Sequence, residues 1–376
     1  MMPPLSVLHV TDASSSGVLT AVTTIARQQS EDSRFERVVF AYVLRPDSPA
    51  HDEIERLAGP LVEVQRWSDS LGWRRLADLT RNLRERLRAD HYDVVHLHSS
   101  RTGLLGRWVT LLSPHRGRSV YSPHAFAFAY AQWSRPKRFI LWSLELMGTL
   151  GGRRLVLNSE SEERVAKRSF PWSRTAVLAN AVDVAHLRTF DRSPDPDHPA
   201  FAHIGRIAPA KAPEVFGAVA ARVSQELPHA RALWFGEGDR ALFGEHEDLV
   251  EISGWLRPAE LHRRLRSVSV LLFTSRGEGM PMAVLEAQAM GIPVVASRVT
   301  GVIDLVKDGE TGLLADSVED LADSLVAVLT EPELAARLSE GTALAAERFD
   351  QASLAQRSLT AYDVLAGRPS AARSTP

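Results

Sequence analysis

The chain contains no cysteine among its 376 residues, which excludes disulfides, thiolate metal centres and cysteine nucleophiles. Net charge is nearly absent too, at −2, and this argues against a general nucleic-acid binder. No window approaches the ~20 apolar residues that span a bilayer; the stretch Phe139–Leu150 is too short and contains Glu145. The start, Met-Met-Pro-Pro-Leu, has no basic region ahead of a long apolar segment, so no signal peptide is expected. Lysine is scarce: Lys137, Lys167, Lys211 and Lys307 are the four among 44 basic residues, so a lysine inside a motif is informative.

What is present is enough for two domains. Hydrophobic residues make up 44% and charged residues 24%, which excludes disorder and collagen-like fibres. The small net charge hides a division. Residues 1–190 carry 26 basic and 19 acidic side chains, and residues 191–376 carry 18 and 27. A basic half and an acidic half suggest domains that meet different partners.

Short β-rich runs alternate with helical patterns. Ser6–Val10, Val38–Leu44, Leu61–Val64, Val94–Leu97, Ser119–Ser122 and Arg154–Leu157 read as strands. Leu76, Leu79, Leu83 and Leu87 recur at helical spacing across Arg74–Ala89. After the proline-rich stretch 193–199 the rhythm restarts, with strands expected at Phe201–Ile204, Ala232–Phe235, Val250–Ile252, Val268–Phe273 and Pro293–Ala296. The pattern predicts an α/β protein of two Rossmann-like, doubly wound domains facing across a cleft. Their expected limits are 1–190 and 200–349, with a linker at 191–199. A helix at 350–366 is expected to return to the N-terminal domain, ahead of a disordered tail at 367–376.

The strongest chemical segment runs from Ser275 to Ser297. A Gly277-Glu278-Gly279 turn follows an apolar strand and leads into a helix, whose first N–H groups are suited to anions. Glu286 lies too far into that helix to cap it and sits among Val284, Leu285, Ala287 and Ala289. A carboxylate held there needs donors, and sugar hydroxyls supply them. A capping glutamate plus a solvated one is the plain alternative.

The pattern Glu-x7-Glu in this context resembles the donor-site signature of the retaining GT-B glycosyltransferases of family 4. The resemblance implies that Glu278 reaches hydroxyls of the transferred sugar and Glu286 the ribose. It implies that the Gly279-Met280-Pro281 backbone contacts sugar and phosphate. The segment Gly205-Arg-Ile-Ala-Pro-Ala-Lys-Ala212 is similar to the family's Gly-Arg…Lys-Gly segment, with Ala212 at the glycine. Arg206 and Lys211 are then placed to neutralise a departing diphosphate. Gly236 belongs to a run resembling the turn beside the nucleotide, and Trp255 with Leu256 to the segment edging the base.

On the acceptor side, His96-Leu-His-Ser-Ser-Arg-Thr-Gly103 resembles the family's His-x-His-Ser-Ser-Lys-Ala-Gly variant, seen in exopolysaccharide-type members, with Arg101 where many have lysine. Ser122-Pro-His-Ala-Phe126 resembles Thr-Pro-His-Gly-Phe, which implies that His124 lies beside the donor sugar. The family reading adds His98, Ser99, Arg101 and Asn158 to the cleft. It also adds Ser16 and Gly17, where the usual Gly-Gly has become Ser-Gly. The implied chemistry is retaining transfer of a sugar from a nucleotide diphosphate sugar to an acceptor hydroxyl, with His124, Glu278, Arg206 and Lys211 at the reaction.

No metal or other cofactor is expected. The one Asp-x-Asp match, Asp195-Pro-Asp197, lies in the expected linker, and no His/Asp cluster has ligand spacing along the chain. Expected partners are the donor and a glycan or lipid-linked acceptor, without nucleic acid. Residues 134–142 put three cations beside an aromatic-aliphatic run, a pattern that suits an anionic membrane. The expected location is cytoplasmic, on the inner membrane face if that surface binds. Two rivals stand beside this reading: a sugar-nucleotide epimerase of similar fold and a non-catalytic nucleotide-sugar binder. No Gly-x-Gly-x-x-Gly or Gly-x4-Gly-Lys-Ser/Thr supports a dehydrogenase or a P-loop NTPase.

Overall fold

A computed structural model describes residues 3–70, 72, 74–130 and 132–368. The side chain of Ser16 and the tail residues 369–376 lie outside the described part. The chain forms two compact units. The first comprises 1–129, 133–181 and 351–376, and the second 130–132 and 182–350.

The first unit is built on seven strands: β1 (Leu5–Thr11), β2 (Phe35–Val43), β3 (Glu63–Ser68), β4 (Val94–His98), β5 (Ser119–Ser122), β6 (Arg154–Leu157) and β7 (Arg174–Val177). They pair in parallel in the order β3-β2-β1-β4-β5-β6-β7. Every residue of β1 is buried, as expected for a central parallel strand covered on both faces. Successive residues feed opposite cores. Val7 packs with Phe40, Ile54 and Leu365, while Leu8 packs with Leu79, Leu83 and Leu87 of the helix Arg74–Ala89.

The helix Leu354–Ala366 belongs to the first unit, where Leu354, Ala361, Tyr362 and Leu365 enter the core. Each large apolar side chain so buried contributes roughly 1.5–3 kcal/mol.

The second unit repeats the plan with β8 (Ala200–Ile204), β9 (Arg231–Phe235), β10 (Val250–Ile252), β11 (Val270–Phe273), β12 (Val294–Ser297) and β13 (Gly312–Ala315), in the order β10-β9-β8-β11-β12-β13. The chain passes from one unit to the other at 181/182, ahead of the proline-rich stretch expected as the linker. Residues 191–199 are part of the second unit. Arg192 pins them by donating to Gly291 O at 2.7 Å and to Val268 O at 3.0 Å. Proline and charge mark that stretch as non-helical without saying whether it is anchored.

Candidate active site

In doubly wound sheets, ligands settle beyond the carboxyl ends of the strands where the order reverses. In the second unit that point lies between β8 and β11. The loop after β8 carries Gly205, Arg206 and Lys211; the loop after β11 carries Glu278. Lys211 Nζ lies 2.5 Å from Glu278 Oε1, and both side chains are largely covered. Arg206 is exposed at the same loop. Ala212 takes a left-handed conformation, φ 50°, which costs an L-residue roughly 1–2 kcal/mol and explains why glycine suits this position.

Glu278 N donates to Thr300 O at 3.2 Å, so its backbone is held within the unit. The helix Met282–Ala289 begins three residues after Gly279, capped by Pro281. Its earliest internal bonds are donated by Val284 and Leu285, and the N–H groups of Met282 and Ala283 have no acceptor among the described residues, which leaves them available to an anion. Glu286 has no hydrogen-bond or ionic partner among the described residues. It is half-buried, and desolvation pushes its carboxyl up to about 7.

Gly236 is close to the Lys211 loop for a backbone reason. A Cβ there would lie 2.0 Å from Gly205 O. Trp234 Nε1 donates to the same carbonyl at 2.7 Å. Trp255 is exposed and Leu256 half-buried near the end of β10. His203, which the sequence did not single out, is buried in a stack between Trp234 and Phe273, with centroids 4.0 and 5.1 Å away. It donates from Nδ1 to Leu272 O at 3.1 Å, and burial keeps it neutral.

The first unit reverses order between β1 and β4. There Asp12, buried at the end of β1, accepts from Ser99 Oγ and from Thr102 Oγ1 at 3.1 Å. Arg45 and Arg101 reach it at 3.4 and 3.7 Å. Arg75 lies near this pair: burial lowers its pKa, and so do Arg101 and Arg45. Three guanidinium groups therefore share one basin. Asp12, Arg45 and Arg75 escape a motif reading because they come from three separate segments.

Gly17 is exposed near the start of the helix Ser16–Ser30. His98 is buried and bonded through both ring nitrogens, to His9 and His124 at 3.0 Å each. Asn158 is also buried, donating to Asn180 Oδ1 at 2.7 Å. These two therefore hold the site from beneath rather than line its surface. His124 follows β5 at φ 55°, and Ala125 at φ 93° donates its N–H to Glu162 Oε1 at 2.7 Å. Burial lowers the His124 pKa to about 4.

Folding creates one histidine cluster that chain spacing hides. Ligand-capable atoms of His9, His96 and His98 all lie within 4.8 Å of one another. All six ring nitrogens are already engaged in hydrogen bonds, so the arrangement is a satisfied network and not an open set of lone pairs.

Two strand-order reversals, each with paired charges from the flanking loops, define a GT-B architecture. Comparison with known proteins agrees. Residues 15–186 match the family model described as Glycosyltransferase Family 4, and residues 198–331 match that described as Glycosyl transferases group 1. The chain belongs to this family of glycosyltransferases. D-inositol 3-phosphate glycosyltransferase of Rhodococcus opacus (strain B4) is 28% identical over 316 residues, covering 74% of this chain and 69% of the relative. UDP-Gal:alpha-D-GlcNAc-diphosphoundecaprenol alpha-1,3-galactosyltransferase of Escherichia coli is 27% identical over 271 residues, covering 66% and 69%. Two solved structures share the fold at 18% identity. They are Anabaena HepE in complex with UDP and glucose, with a TM-score of 0.74 and coverage of 94% and 98%, and sucrose-phosphate synthase of Thermosynechococcus elongatus, with a TM-score of 0.78 and coverage of 96% and 99%.

Proposed function

We propose that the chain is a retaining glycosyltransferase that moves a sugar from a nucleotide diphosphate sugar to an acceptor hydroxyl, without a bound metal. The observation that carries this reading is the second unit's charge arrangement. Lys211 and Glu278 meet at the switch point, and the helix that follows carries Glu286, which has no hydrogen-bond or ionic partner among the described residues. Lys211, Arg206 and the open N–H groups of Met282 and Ala283 supply positive charge for the departing diphosphate. Stabilising that charge is where most of the rate gain arises. Glu278 and Glu286 accept hydroxyls of the sugar and the ribose. His124 belongs to the reaction centre on the acceptor unit, and the departing phosphate helps to take the acceptor proton.

The basin of Arg45, Arg75 and Arg101 favours an acceptor that carries a phosphate. Two relatives are named for acceptors of that kind, an inositol phosphate and a diphospho-lipid. The deciding experiment incubates the protein with UDP-, GDP- and ADP-sugars, with and without a phosphorylated acceptor. Anomer-retained product formed only when acceptor is added supports the reading. A changed sugar without acceptor would indicate the epimerase, and binding without any turnover the scaffold.

A membrane role has its own support. No described helix is long and apolar enough to cross a membrane. The helix Arg135–Gly151 instead exposes Phe139, Ile140, Leu144, Met147 and Leu150. Trp108, Leu112 and Trp172 are exposed nearby on the same unit. Monomeric proteins seldom leave so many large apolar groups together. Arg135, Lys137 and Arg138 stand at one end of the helix. At the other, Arg116, Arg153, Arg154 and Arg174 line a concavity of 470 Å³ with Leu150 and Trp172. Glu145, the helix's one carboxylate, is buried against Arg107. Apolar side chains bracketed by cations complement an anionic bilayer, and we assign the face to that surface, on the cytoplasmic side.

A further inference from the structure

Gln29, His9, His98 and His124 form one hydrogen-bonded series inside the first unit, and His96, Tyr362, Ser358 and Ser122 complete it. Its direction can be worked out from two backbone carbonyls, which can only accept. Ser122 Oγ donates to Val156 O at 2.8 Å, and Ser358 Oγ donates to Ala355 O at 2.8 Å. Each hydroxyl has then used its one proton. Ser122 therefore accepts from His96 Nε2 at 2.9 Å, and Ser358 accepts from Gln29 Nε2 at 3.0 Å.

His96 carries its proton on Nε2, so its Nδ1 accepts from the Tyr362 hydroxyl at 2.9 Å. Tyr362 oxygen in turn accepts the second N–H of Gln29 at 3.1 Å. With both amide protons placed, Gln29 Oε1 must face His9 Nε2, 2.8 Å away. His9 Nε2 is the donor there, and His9 Nδ1 accepts from His98 Nε2 at 3.0 Å. His98 Nδ1 accepts from His124 Nε2, also at 3.0 Å. Burial holds all four rings neutral, so each has one proton and the assignment closes without conflict.

We infer that Gln29, anchored by Tyr362 and Ser358, is a positioning residue that locks His124 as the Nε2–H tautomer and leaves its Nδ1 as an acceptor for a ligand hydroxyl. A tautomer is set by what the other ring nitrogen bonds to; here that constraint is relayed through two further rings. His124 is thereby excluded as a proton donor from Nδ1. The inference rests on the placement of His124 at the reaction centre, and it adds the polarity of the ring and the residues that impose it.

The test is long-range 1H–15N correlation on protein carrying 15N-histidine, which reads the protonated nitrogen of each ring directly. The wild-type protein should show His9, His96, His98 and His124 all protonated on Nε2. Protonation of His124 on Nδ1, or an equal mixture of the two forms, overturns the inference. Gln29→Leu removes the acceptor at the end of the series and should give His124 both forms, with transfer falling roughly three- to tenfold, one hydrogen bond's effect. Tyr362→Phe leaves Gln29 held by Ser358 and His96 held by Ser122, so it should spare the form of both His96 and His124. Gln29→Glu keeps an acceptor for His9 and should restore the His124 form; a general packing defect would not be rescued this way. If Gln29→Leu leaves the wild-type His124 form unchanged, the lock is refuted. Undiminished transfer by His124→Ala would overturn the placement of His124 in the site while leaving the tautomer result standing.

Discussion

Lys211 and Glu278 join the loops after β8 and β11 through an ion pair of 2.5 Å, so the proposed diphosphate cation is already engaged before ligand arrives. Binding must then share or exchange that partner. Replacing Lys211 with alanine should cut turnover by ~10²–10³, comparable to losing one oxyanion donor. Lys211→Ala with Glu278→Ala should lose less than the two single changes together, because the residues touch. Steady-state kinetics on the four proteins measures both effects, and near-wild-type turnover by Lys211→Ala at saturating donor would refute the role.

Glu286 gives a pH signature. Its carboxyl is raised to about 7, so it ionises late, and an ionised carboxylate accepts hydroxyls best. Nucleoside diphosphate affinity should therefore rise as pH increases through 7, with a proton released on binding below that pH. Calorimetry in buffers of differing ionisation heat checks both. Glu286→Gln should remove the pH dependence, and Glu286→Ala should weaken binding more than it slows chemistry.

Gly236 is required for space. Its φ of 154° and a Cβ position 2.0 Å from Gly205 O leave no room for a side chain. Gly236→Ala should cost roughly 1–3 kcal/mol through forced backbone movement, read by urea unfolding, and should disturb donor affinity because Gly205 borders Arg206.

Acid should destabilise the first unit. His9 and His124 have pKa values lowered to about 4, and burial holds those of His96 and His98 well below the ordinary value as well. Between about 4 and the ordinary value of 6.5 the unfolded chain binds protons that the folded chain refuses. Stability therefore rises with pH across that window and is lost as pH falls through it. Glu286, shifted upward, acts with the opposite sign in the second unit. Thermal unfolding from pH 7 to 4 should show an early-melting transition that His9→Gln weakens.

The exposed face of Arg135–Gly151 should bind vesicles rich in anionic lipid and not neutral ones. Phe139→Asp and Leu150→Asp should each weaken sedimentation with anionic vesicles about tenfold or more, since burying such a side chain contributes ~1.5–3 kcal/mol. High salt should weaken it further by screening the arginines. Absence of co-sedimentation at low salt would defeat the assignment.

The residues explain how far sequence could lead. β11 was legible because a fully buried parallel strand is a continuous apolar run, and β1 and β4 because apolar residues surround His9, His96 and His98. β7 was not, since Arg174 and Val177 are exposed at a sheet edge. In the helix Ser100–Leu111 a Cβ at Gly103 would lie 2.1 Å from the Tyr121 ring, so packing demands a residue of low helix propensity there. Lys211 and Glu278 could be picked out as candidates because each lies in a short segment after one strand, β8 or β11. The histidine series could not. Gln29 and Tyr362 lie 333 positions apart, and no local spacing can connect them.

That separation also sets an order of events during synthesis. The first unit's strands leave the ribosome before the second unit, but Ser358 and Tyr362, which orient Gln29, are made after it. Until the closing helix emerges, His96 Nδ1 and the Gln29 amide lack their partners, and the half-built sheet must persist through translation of the entire second unit. Nascent chains stalled before residue 350 should be the form that depends most on chaperones.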